Sequence, residues 1–273
     1  MELKIITFNI WDLHVGVVKD RQWRFGKLIQ KIIDLDADIV CLQESWDVEH
    51  QYELRKQLTP KYYTTIGDGK IKTRNILWKK FDTAGGLIIL SKFPIEDCEF
   101  IPLSRWPNTS LTEFFAKKGF LFATINTPTR SIKIINTHLQ AINSKSDPII
   151  QKRQLKGMLS RLGPAEESTP FIIIGDFNKD AMMSDPYYVR IISDHGFTEP
   201  AHFKGLGRIP THRTRQDNIY AGTWLHPAKH PLQFDYFLLK NINMENIKIE
   251  PLYFESPLSD HDPLMLTISK PSE

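Results

Sequence analysis

Short apolar runs recur along the whole chain, and several of them are apolar at every position rather than at alternate positions. A strand with one face in water alternates apolar and polar residues, so continuous runs indicate strands that are covered on both faces. A chain with this pattern has to build sheets that are packed from both sides. The predicted strands are Leu3–Phe8, Asp38–Leu42, Gly86–Leu90, Phe120–Ile125, Ile132–Asn136, Phe171–Ile174, Phe234–Leu239 and Leu264–Ile268.

Between some of these strands, apolar residues recur at the three-to-four-residue spacing of an amphipathic helix. One such helix covers Phe25 to Leu35, and Asp20 is its predicted N-terminal cap. A second is predicted from Pro148 to Leu162, with Ile149 on its buried face, and a third from Asp185 to Asp194. Because strands dominate and do not alternate strictly with helices, the pattern favours packed sheets flanked by helices over a simple Rossmann fold. No strong boundary or repeat divides the sequence, so we expect residues 1–273 to form one domain.

Composition narrows the class of protein only modestly. The net charge is +3 over 273 residues, which permits an anionic partner without implying nucleic acid. Cys41 and Cys98 show no zinc spacing, and Cys41 lies in an apolar run where a buried free thiol is expected. The sequence has no apolar stretch of transmembrane length and no visible secretion signal. We therefore expect a cytoplasmic location, although the mature form of a secreted protein would have the same sequence.

Polar residues that bind metals follow several of the predicted strands. Asn9 and Glu44 come after the first and second strands, where an amide and a carboxylate can share one rim of a sheet. Mg²⁺ prefers hard oxygen ligands and takes few of them from the protein, so this pair fits a magnesium site. Each residue alone is more typical of a turn at a strand end, and that alternative stays open.

Further candidates follow the later strands. Asp176 and Asn178 come directly after a fully apolar strand, and together they offer a base and an amide donor for an attacking water or an oxyanion. Asp235 lies inside an apolar strand, where a carboxylate is costly unless it is paired, and His261 is its candidate partner. His138 also follows a strand and can donate to a phosphate oxygen or a leaving group, although a lone histidine is as often structural.

These segments, taken in order, resemble the motifs of the endonuclease/exonuclease/phosphatase superfamily. The resemblance covers nearly the whole chain, and five motifs in the correct order are highly specific where any one is weak. It implies an α+β fold, a four-layer α/β/β/α sandwich of two packed mixed sheets flanked by helices. It also implies a phosphoesterase that depends on Mg²⁺, with Mn²⁺ as the alternative. The motifs are Thr7-Phe8-Asn9, Gln43-Glu44, Gly175-Asp176-Phe177-Asn178, Phe234-Asp235-Tyr236 and Ser259-Asp260-His261.

The resemblance also implies a role for each residue. Glu44 corresponds to the principal metal ligand, with Asn9 as its neighbour and Asp260 as a further metal-side carboxylate. Asp176 and Asn178 correspond to the pair that positions water and phosphate. His261 corresponds to the general base or phosphate stabiliser, oriented by Asp235. The sequence does not decide whether Asp176 or His261 takes the proton from water.

Within the superfamily, the segment Asn136 to Ala141 is similar to the Thr-His-x-x-Ala segment of neutral sphingomyelinases. Nucleases of the DNase I type and inositol polyphosphate phosphatases also carry a histidine here, whereas apurinic-site endonucleases have a tyrosine. We therefore expect cleavage of a phospholipid headgroup. The alternatives are a nuclease or inositol polyphosphate phosphatase that uses the same site, and a non-catalytic member that binds lipid or protein.

Two segments suggest the partners that go with these alternatives. Trp106 to Phe122 combines aromatic residues with lysines, a composition that suits a bilayer surface, although Phe120 and Phe122 favour a core strand. The basic segment Lys70 to Lys80 would suit nucleic acid, but no motif that reads bases accompanies it, and a solvated loop is the more usual explanation.

Overall fold

Two β-sheets form the centre of the fold. The computed structural model describes residues 2–13, 18–66, 73–76, 79–82, 84–103, 117–141, 147–162, 168–222 and 228–269. Its strands are β1 Leu3–Asp12, β2 Ile39–Ser45, β3 Tyr63–Ile66, β4 Thr73–Ile76, β5 Lys79–Asp82, β6 Ile88–Ser91, β7 Ile95–Pro102, β8 Gly119–Asn126, β9 Ser131–His138, β10 Phe171–Asp176, β11 Asp235–Lys240, β12 Ile247–Pro251 and β13 Leu264–Ile268. Its helices are α1 Arg21–Leu35, α2 Val48–Leu58, α3 Asp147–Leu159, α4 Pro186–Asp194 and α5 Pro200–Phe203, with short 3-10 helices at Met182–Ser184 and Met244–Asn246.

Both large sheets mix parallel and antiparallel neighbours. The first has six strands in the order β12-β13-β1-β2-β6-β3, and the second has five in the order β11-β10-β9-β8-β7, while β4 and β5 pair as a separate hairpin. In the first sheet β1 runs parallel to β2, and in the second β9 runs parallel to β10. The carboxyl ends of parallel neighbours lie at one edge of their sheet. Side chains that end these four strands are therefore grouped at two sheet edges.

Three apolar clusters hold four layers together. Residues on the inner faces, such as Ile5 and Ile172, pack between the two sheets. The outer face of the six-stranded sheet packs on α1 and α2, and the outer face of the five-stranded sheet packs on α3 and α4. Within β10, Ile172 belongs to the inner cluster and Ile173 to an outer one, so every position of the strand is covered. The predicted α/β/β/α sandwich is confirmed, as is the buried free thiol of Cys41.

Two details of the predicted helices are wrong. Asp20 makes no side-chain cap bond to α1, because its backbone is left-handed with φ 52° and its carboxylate instead accepts from the Tyr220 hydroxyl at 3.0 Å. Ile149 is 56% exposed, although we expected it to be buried. Neighbouring helix positions point about 100° apart, and α3 turns Ile150 rather than Ile149 toward the core.

Several elements carry little apolar signal and were not predicted. The helix α2 buries polar His50 and Gln51 beside its leucines, and β7 is largely exposed at the edge of its sheet. Phe120 lies in β8 and is buried, which confirms the core alternative for that residue. Trp106, Lys70 and Lys72 lie outside the described residues. Among the helices of the described ranges, none is long and apolar enough to span a bilayer.

Candidate active site

An amide on one sheet touches carboxylates from both sheets at the edge where β1, β2 and β10 end. The Asn9 Nδ2 atom donates to Asp176 Oδ2 at 2.9 Å and to Glu44 Oε1 at 3.1 Å. Asn9 is on β1 and Glu44 on β2 of the six-stranded sheet, whereas Asp176 is on β10 of the five-stranded sheet. The bond to Asp176 therefore joins the two sheets at their rims. Residues predicted to converge from three separate segments are thus in direct contact.

The predicted pairing of Asp235 with His261 is confirmed. Asp235 begins β11 directly opposite Asp176, and its Oδ2 atom lies 2.8 Å from His261 Nδ1. The other ring nitrogen, Nε2, lies 3.7 Å from Asp176 Oδ2. Burial alone would lower the pKa of His261, but the charges of Asp235 and Asp176 raise it well above its ordinary value. His261 therefore lies between two carboxylates that favour its cationic form.

His138 ends β9 on the other side of Asp176. Its Nε2 atom lies 3.5 Å from Asp176 Oδ2 and 3.7 Å from Glu44 Oε1. Lys118 Nζ lies 2.5 Å from the same nitrogen, so the ammonium donates and Nε2 accepts. Burial, and then the charge of Lys118, lowers the pKa of His138 well below its ordinary value. The ring is therefore neutral, and Lys118 is the donor that stands beside the carboxylates.

The backbone around Asp176 fixes the direction of its carboxylate. Asp176 Oδ1 accepts from the backbone N–H of Asn178 at 2.7 Å, which leaves Oδ2 turned toward Asn9 and the histidines. Gly175 has φ 143°, and a Cβ atom there would lie 2.0 Å from the carbonyl oxygen of Thr137 on β9. Only glycine fits this close approach of two strands. The side-chain amide of Asn178 donates to the Leu139 carbonyl at 3.0 Å.

Asp260 is the predicted residue with the fewest direct contacts to the others. Its Oδ1 atom accepts from the Ser259 hydroxyl at 3.1 Å. Its charge also raises the pKa of Glu44, after the larger effect of burial. The other predicted residues are grouped around Asp176.

The donor set fits a divalent cation with hard-ligand preference. Glu44, His138 and Asp176 each offer an atom, and these atoms lie within 4.8 Å of one another. Burial raises the pKa of Glu44, and burial also raises the pKa of Asp176 to about 7. Asp176 is buried and Glu44 partly buried, and the Asn9 amide is bonded to both carboxylates. Carboxylate oxygens grouped in this way are the hard ligands that a divalent cation prefers. The Asn9 oxygen itself accepts from the Trp11 backbone N–H at 3.1 Å.

A second acidic cluster does not fit a metal in the same way. Asp12, Asp47 and His50 also offer atoms within 4.8 Å of one another. Arg21 Nε lies 2.7 Å from Asp12 Oδ1, and the same guanidinium pairs closely with Asp47. The arginine therefore already supplies the positive charge that a cation would bring.

Several residues of the site were not predicted from the sequence. Lys118 directly precedes β8 and was not predicted as a site residue. Beneath the site, Gln43 Nε2 donates to Asn136 Oδ1 at 2.7 Å, and Asn136 Nδ2 donates to the carbonyls of Leu42 and Ile88 at 2.9 Å each. This buried amide pair links the two sheets. The one sequence signal for it is a polar residue near the end of each of two apolar strands.

His212 was also missed, and its ring touches that of His261. The two ring centroids are 5.5 Å apart with an interplanar angle of 80°, and Phe234 packs against both rings. Burial, and then the charge of His261, lowers the pKa of His212 to about 4. His212 lies in an irregular segment without apolar periodicity, so no strand pattern pointed to it.

Comparison with known proteins identifies the family of this fold and site. A sequence model of the Endonuclease/Exonuclease/phosphatase family matches residues 6–261. Inositol phosphosphingolipids phospholipase C of Schizosaccharomyces pombe is 29% identical over 212 residues, which cover 73% of this chain and 46% of that protein. Sphingomyelinase C 2 of Leptospira interrogans is 22% identical over 303 aligned positions, which cover 97% of this chain and 46% of that protein. The chain spans just under half the length of these two relatives.

Solved structures share the architecture over nearly all of the chain. SmcL superposes with a TM-score of 0.79 at 21% identity, over 98% of this chain and 99% of that one. Sphingomyelinase C from Streptomyces griseocarneus superposes with a TM-score of 0.77 at 17% identity, over 98% of this chain and 100% of that one. Beta toxin from Staphylococcus aureus with bound magnesium ions superposes with a TM-score of 0.72 at 17% identity, over 99% of this chain and 100% of that one. The family model, the relatives and the two-sheet fold agree, and the predicted membership is confirmed: the chain belongs to the Endonuclease/Exonuclease/phosphatase family.

Proposed function

We propose that the protein hydrolyses phosphodiesters with the help of a divalent cation, Mg²⁺ or Mn²⁺, and that its substrate is a phospholipid headgroup. The observation that carries this proposal is the position of Asp176 Oδ2. It lies within 3.7 Å of ring nitrogens from His138 and His261 and accepts a bond from Asn9, which also bonds Glu44. A buried carboxylate among these groups can serve both as a base and as part of a cation site.

Glu44 would be the principal ligand of the cation, and Asn9, which hydrogen-bonds Glu44 and Asp176, would keep those carboxylates in place. Asp260 would be a further carboxylate ligand. A cation bound there would polarise a phosphoryl oxygen and offset the charge that develops during attack. Lys118, whose ammonium donates to His138 Nε2 beside Asp176 and Glu44, would bind a phosphoryl oxygen through its positive charge. His138 would hold that ammonium in place through its neutral ring.

The geometry favours Asp176 over His261 as the group that accepts the proton from water. His261 lies between Asp235 at 2.8 Å and Asp176 at 3.7 Å, so it is stabilised as a cation and has no free lone pair to offer. As a cation it would instead bind the developing negative charge on the phosphate. Asp235 would be the residue that orients this ring. Asn178 would hold Asp176 through its backbone N–H rather than through its side-chain amide.

The substrate class is supported by the similarity to proteins named for sphingolipid cleavage. Those matches name both a choline-bearing and an inositol-bearing class of sphingolipid, so the shared chemistry is a headgroup phosphodiester on a sphingoid lipid.

The test is a panel of phosphoesters incubated with purified protein and Mg²⁺. The panel contains sphingomyelin, an inositol phosphosphingolipid, supercoiled plasmid DNA and inositol polyphosphates. We expect release of a phosphorylated headgroup from at least one lipid, abolished in His261→Ala and retained in His230→Ala, a control at an exposed histidine of the described surface. Absence of headgroup release from both lipids would remove the substrate proposal.

A nuclease or phosphatase activity at the same site is the second candidate. The family includes endonucleases, exonucleases and phosphatases by its description. Arg74, Lys79 and Lys80 fall on the β4–β5 hairpin, which could add positive charge for a polyanion. Nicking of the plasmid that is lost in Glu44→Gln, without any lipid cleavage, would establish this candidate instead.

A further inference from the structure

Three aromatic rings are packed together beside the site: His212, Phe234 and His261. Each pair has centroids between 5.5 and 5.8 Å apart. The backbone of His212 is held by two bonds to Leu232, at 2.9 and 2.8 Å, and the preceding Thr211 carbonyl accepts from the Asp262 N–H. The position of the His212 ring relative to His261 is therefore fixed by backbone bonds on both sides.

The two ring nitrogens of His212 have different surroundings. Nδ1 is buried and has no hydrogen-bond partner among the described residues. Nε2 also lacks a partner within the described ranges but is not fully buried, and the residue retains 8% exposure. Lowering of the pKa of His212 to about 4 keeps the ring neutral at pH 7, with one N–H. The proton is best placed on Nε2, where water or a ligand can accept its bond, because a buried N–H without an acceptor is costly.

A phenylalanine would fill the same space without burying an unpaired nitrogen. The ring contacts with Phe234 and His261 need only an aromatic side chain. A histidine therefore brings a desolvation cost that packing does not explain. The accessible Nε2 is the one atom of His212 that packing does not use.

We propose that His212 is a substrate-binding residue, whose Nε2–H donates to an oxygen of the phosphate group bound against His261. This inference rests on the proposed function to the extent that it assumes a phosphate at this site. His212 would bind that phosphate from the β11 side, while Lys118 and His138 face it from the β9 side. The neutral donor adds a directed hydrogen bond without adding a second cation next to His261.

Two substitutions separate the polar role from the packing role. His212→Phe keeps an aromatic ring against Phe234 and His261 but has no nitrogen. His212→Gln loses the ring but can place an amide nitrogen near the position of Nε2. Thermal unfolding of both variants shows whether the fold is kept. Binding of inorganic phosphate in the presence of Mg²⁺ is then measured by calorimetry, and kcat and KM are measured on whichever phosphoester the wild type cleaves.

We expect His212→Phe to fold normally and to bind phosphate about tenfold to one hundredfold more weakly, the range for a hydrogen bond to a charged group. His212→Gln should recover most of that loss. Phosphate affinity in His212→Phe equal to that of the wild type would overturn the inference, and so would a larger loss in His212→Gln than in His212→Phe. Because phosphate binding is measured separately, a wild type that cleaves no phosphoester contradicts the proposed function alone. A cleaving wild type matched by His212→Phe contradicts this inference alone.

Discussion

Replacing Gly175 with alanine tests whether the close approach of β9 and β10 places Asp176. The Cβ atom of the alanine would lie 2.0 Å from the carbonyl oxygen of Thr137, whereas Cβ contacts below 3.0 Å are essentially never seen. The strands would have to separate by about 1 Å at this point, because the obstructing atom is backbone and cannot rotate away. That separation would break the register in which Gly175 faces Thr137 and Asp176 faces His138.

The expected cost has two parts. Overpacking against a fixed neighbour costs roughly 1–3 kcal/mol. Placing a non-glycine residue at a φ of 143° adds roughly 1–3 kcal/mol more. We therefore expect Gly175→Ala to lower the free energy of unfolding by about 2–6 kcal/mol, out of a total that is typically about 5–15 kcal/mol.

Gly157 provides the matched control, because it lies in α3 and a Cβ atom there meets nothing within 4 Å. Alanine favours a helix over glycine by about 1 kcal/mol, so Gly157→Ala should raise stability slightly. Urea unfolding followed by circular dichroism at pH 7 measures both changes. A Gly175→Ala protein within about 1 kcal/mol of the wild type would refute the close approach of these strands.

Three further predictions follow from buried polar groups. Asp235→Asn should lower the pKa of His261, which NMR titration of the ring measures, and an unchanged pKa would contradict the ion pair. The same substitution should reduce the rate of phosphoester hydrolysis by about 100-fold or more. Asn136→Leu should lower the free energy of unfolding by about 3 kcal/mol in urea titrations, because it removes the amide that donates to the buried carbonyls of Leu42 and Ile88 and accepts from Gln43. Asn126→Leu, at the far end of β8, is its control and should change stability little. Burial raises the pKa of Glu199 to about 7 from an ordinary 4.5, so the carboxyl group keeps its proton to a higher pH in the folded state than in the unfolded state. The contribution of Glu199 to the free energy of unfolding is therefore at its full value below pH 4.5, and it falls by about 3 kcal/mol as the pH rises to 7. Glu199→Gln should remove that slope, and identical pH dependence in the two proteins would contradict it.

The apolar runs predicted packed sheets flanked by helices and most of the site at their edges, while the four-layer sandwich itself was implied by the resemblance to the family. Continuous apolar runs indicate strands with two covered faces, and a carboxylate or amide just after such a run must lie at a sheet edge. Asp176 carried this signal most clearly, whereas Asn9 and Glu44 were each more typical of a turn when taken alone. The structure brings Asn9 into contact with both carboxylates. The buried Asp235 required a partner, and that requirement pointed to His261.

The residues that were missed depend on contacts between segments far apart in the chain. His212 lies in an irregular stretch, and its place beside His261 follows from backbone bonds to Leu232 that no local pattern encodes. Lys118 is adjacent to His138 only because β8 pairs with β9. The wrong cap at Asp20 has a similar cause, since its carboxylate bonds to Tyr220, which is 200 positions away. In each case the position of the side chain depends on contacts between distant segments, which local sequence propensity does not determine.

The central claim is that the carboxylates around Asn9 hold a cation that phosphodiester hydrolysis requires. Its most direct test is the rate of bis(p-nitrophenyl) phosphate hydrolysis as a function of Mg²⁺ after treatment with a chelator. Glu44→Gln is compared with Glu53→Gln, a control on the exposed side of α2. The account predicts that chelation abolishes hydrolysis and that Mg²⁺ restores it in the wild type and in Glu53→Gln. Glu44→Gln should stay inactive or need at least tenfold more Mg²⁺, which corresponds to about 1.4 kcal/mol of lost binding free energy. Hydrolysis that survives chelation, or a Glu44→Gln enzyme with the magnesium response of the wild type, would contradict it.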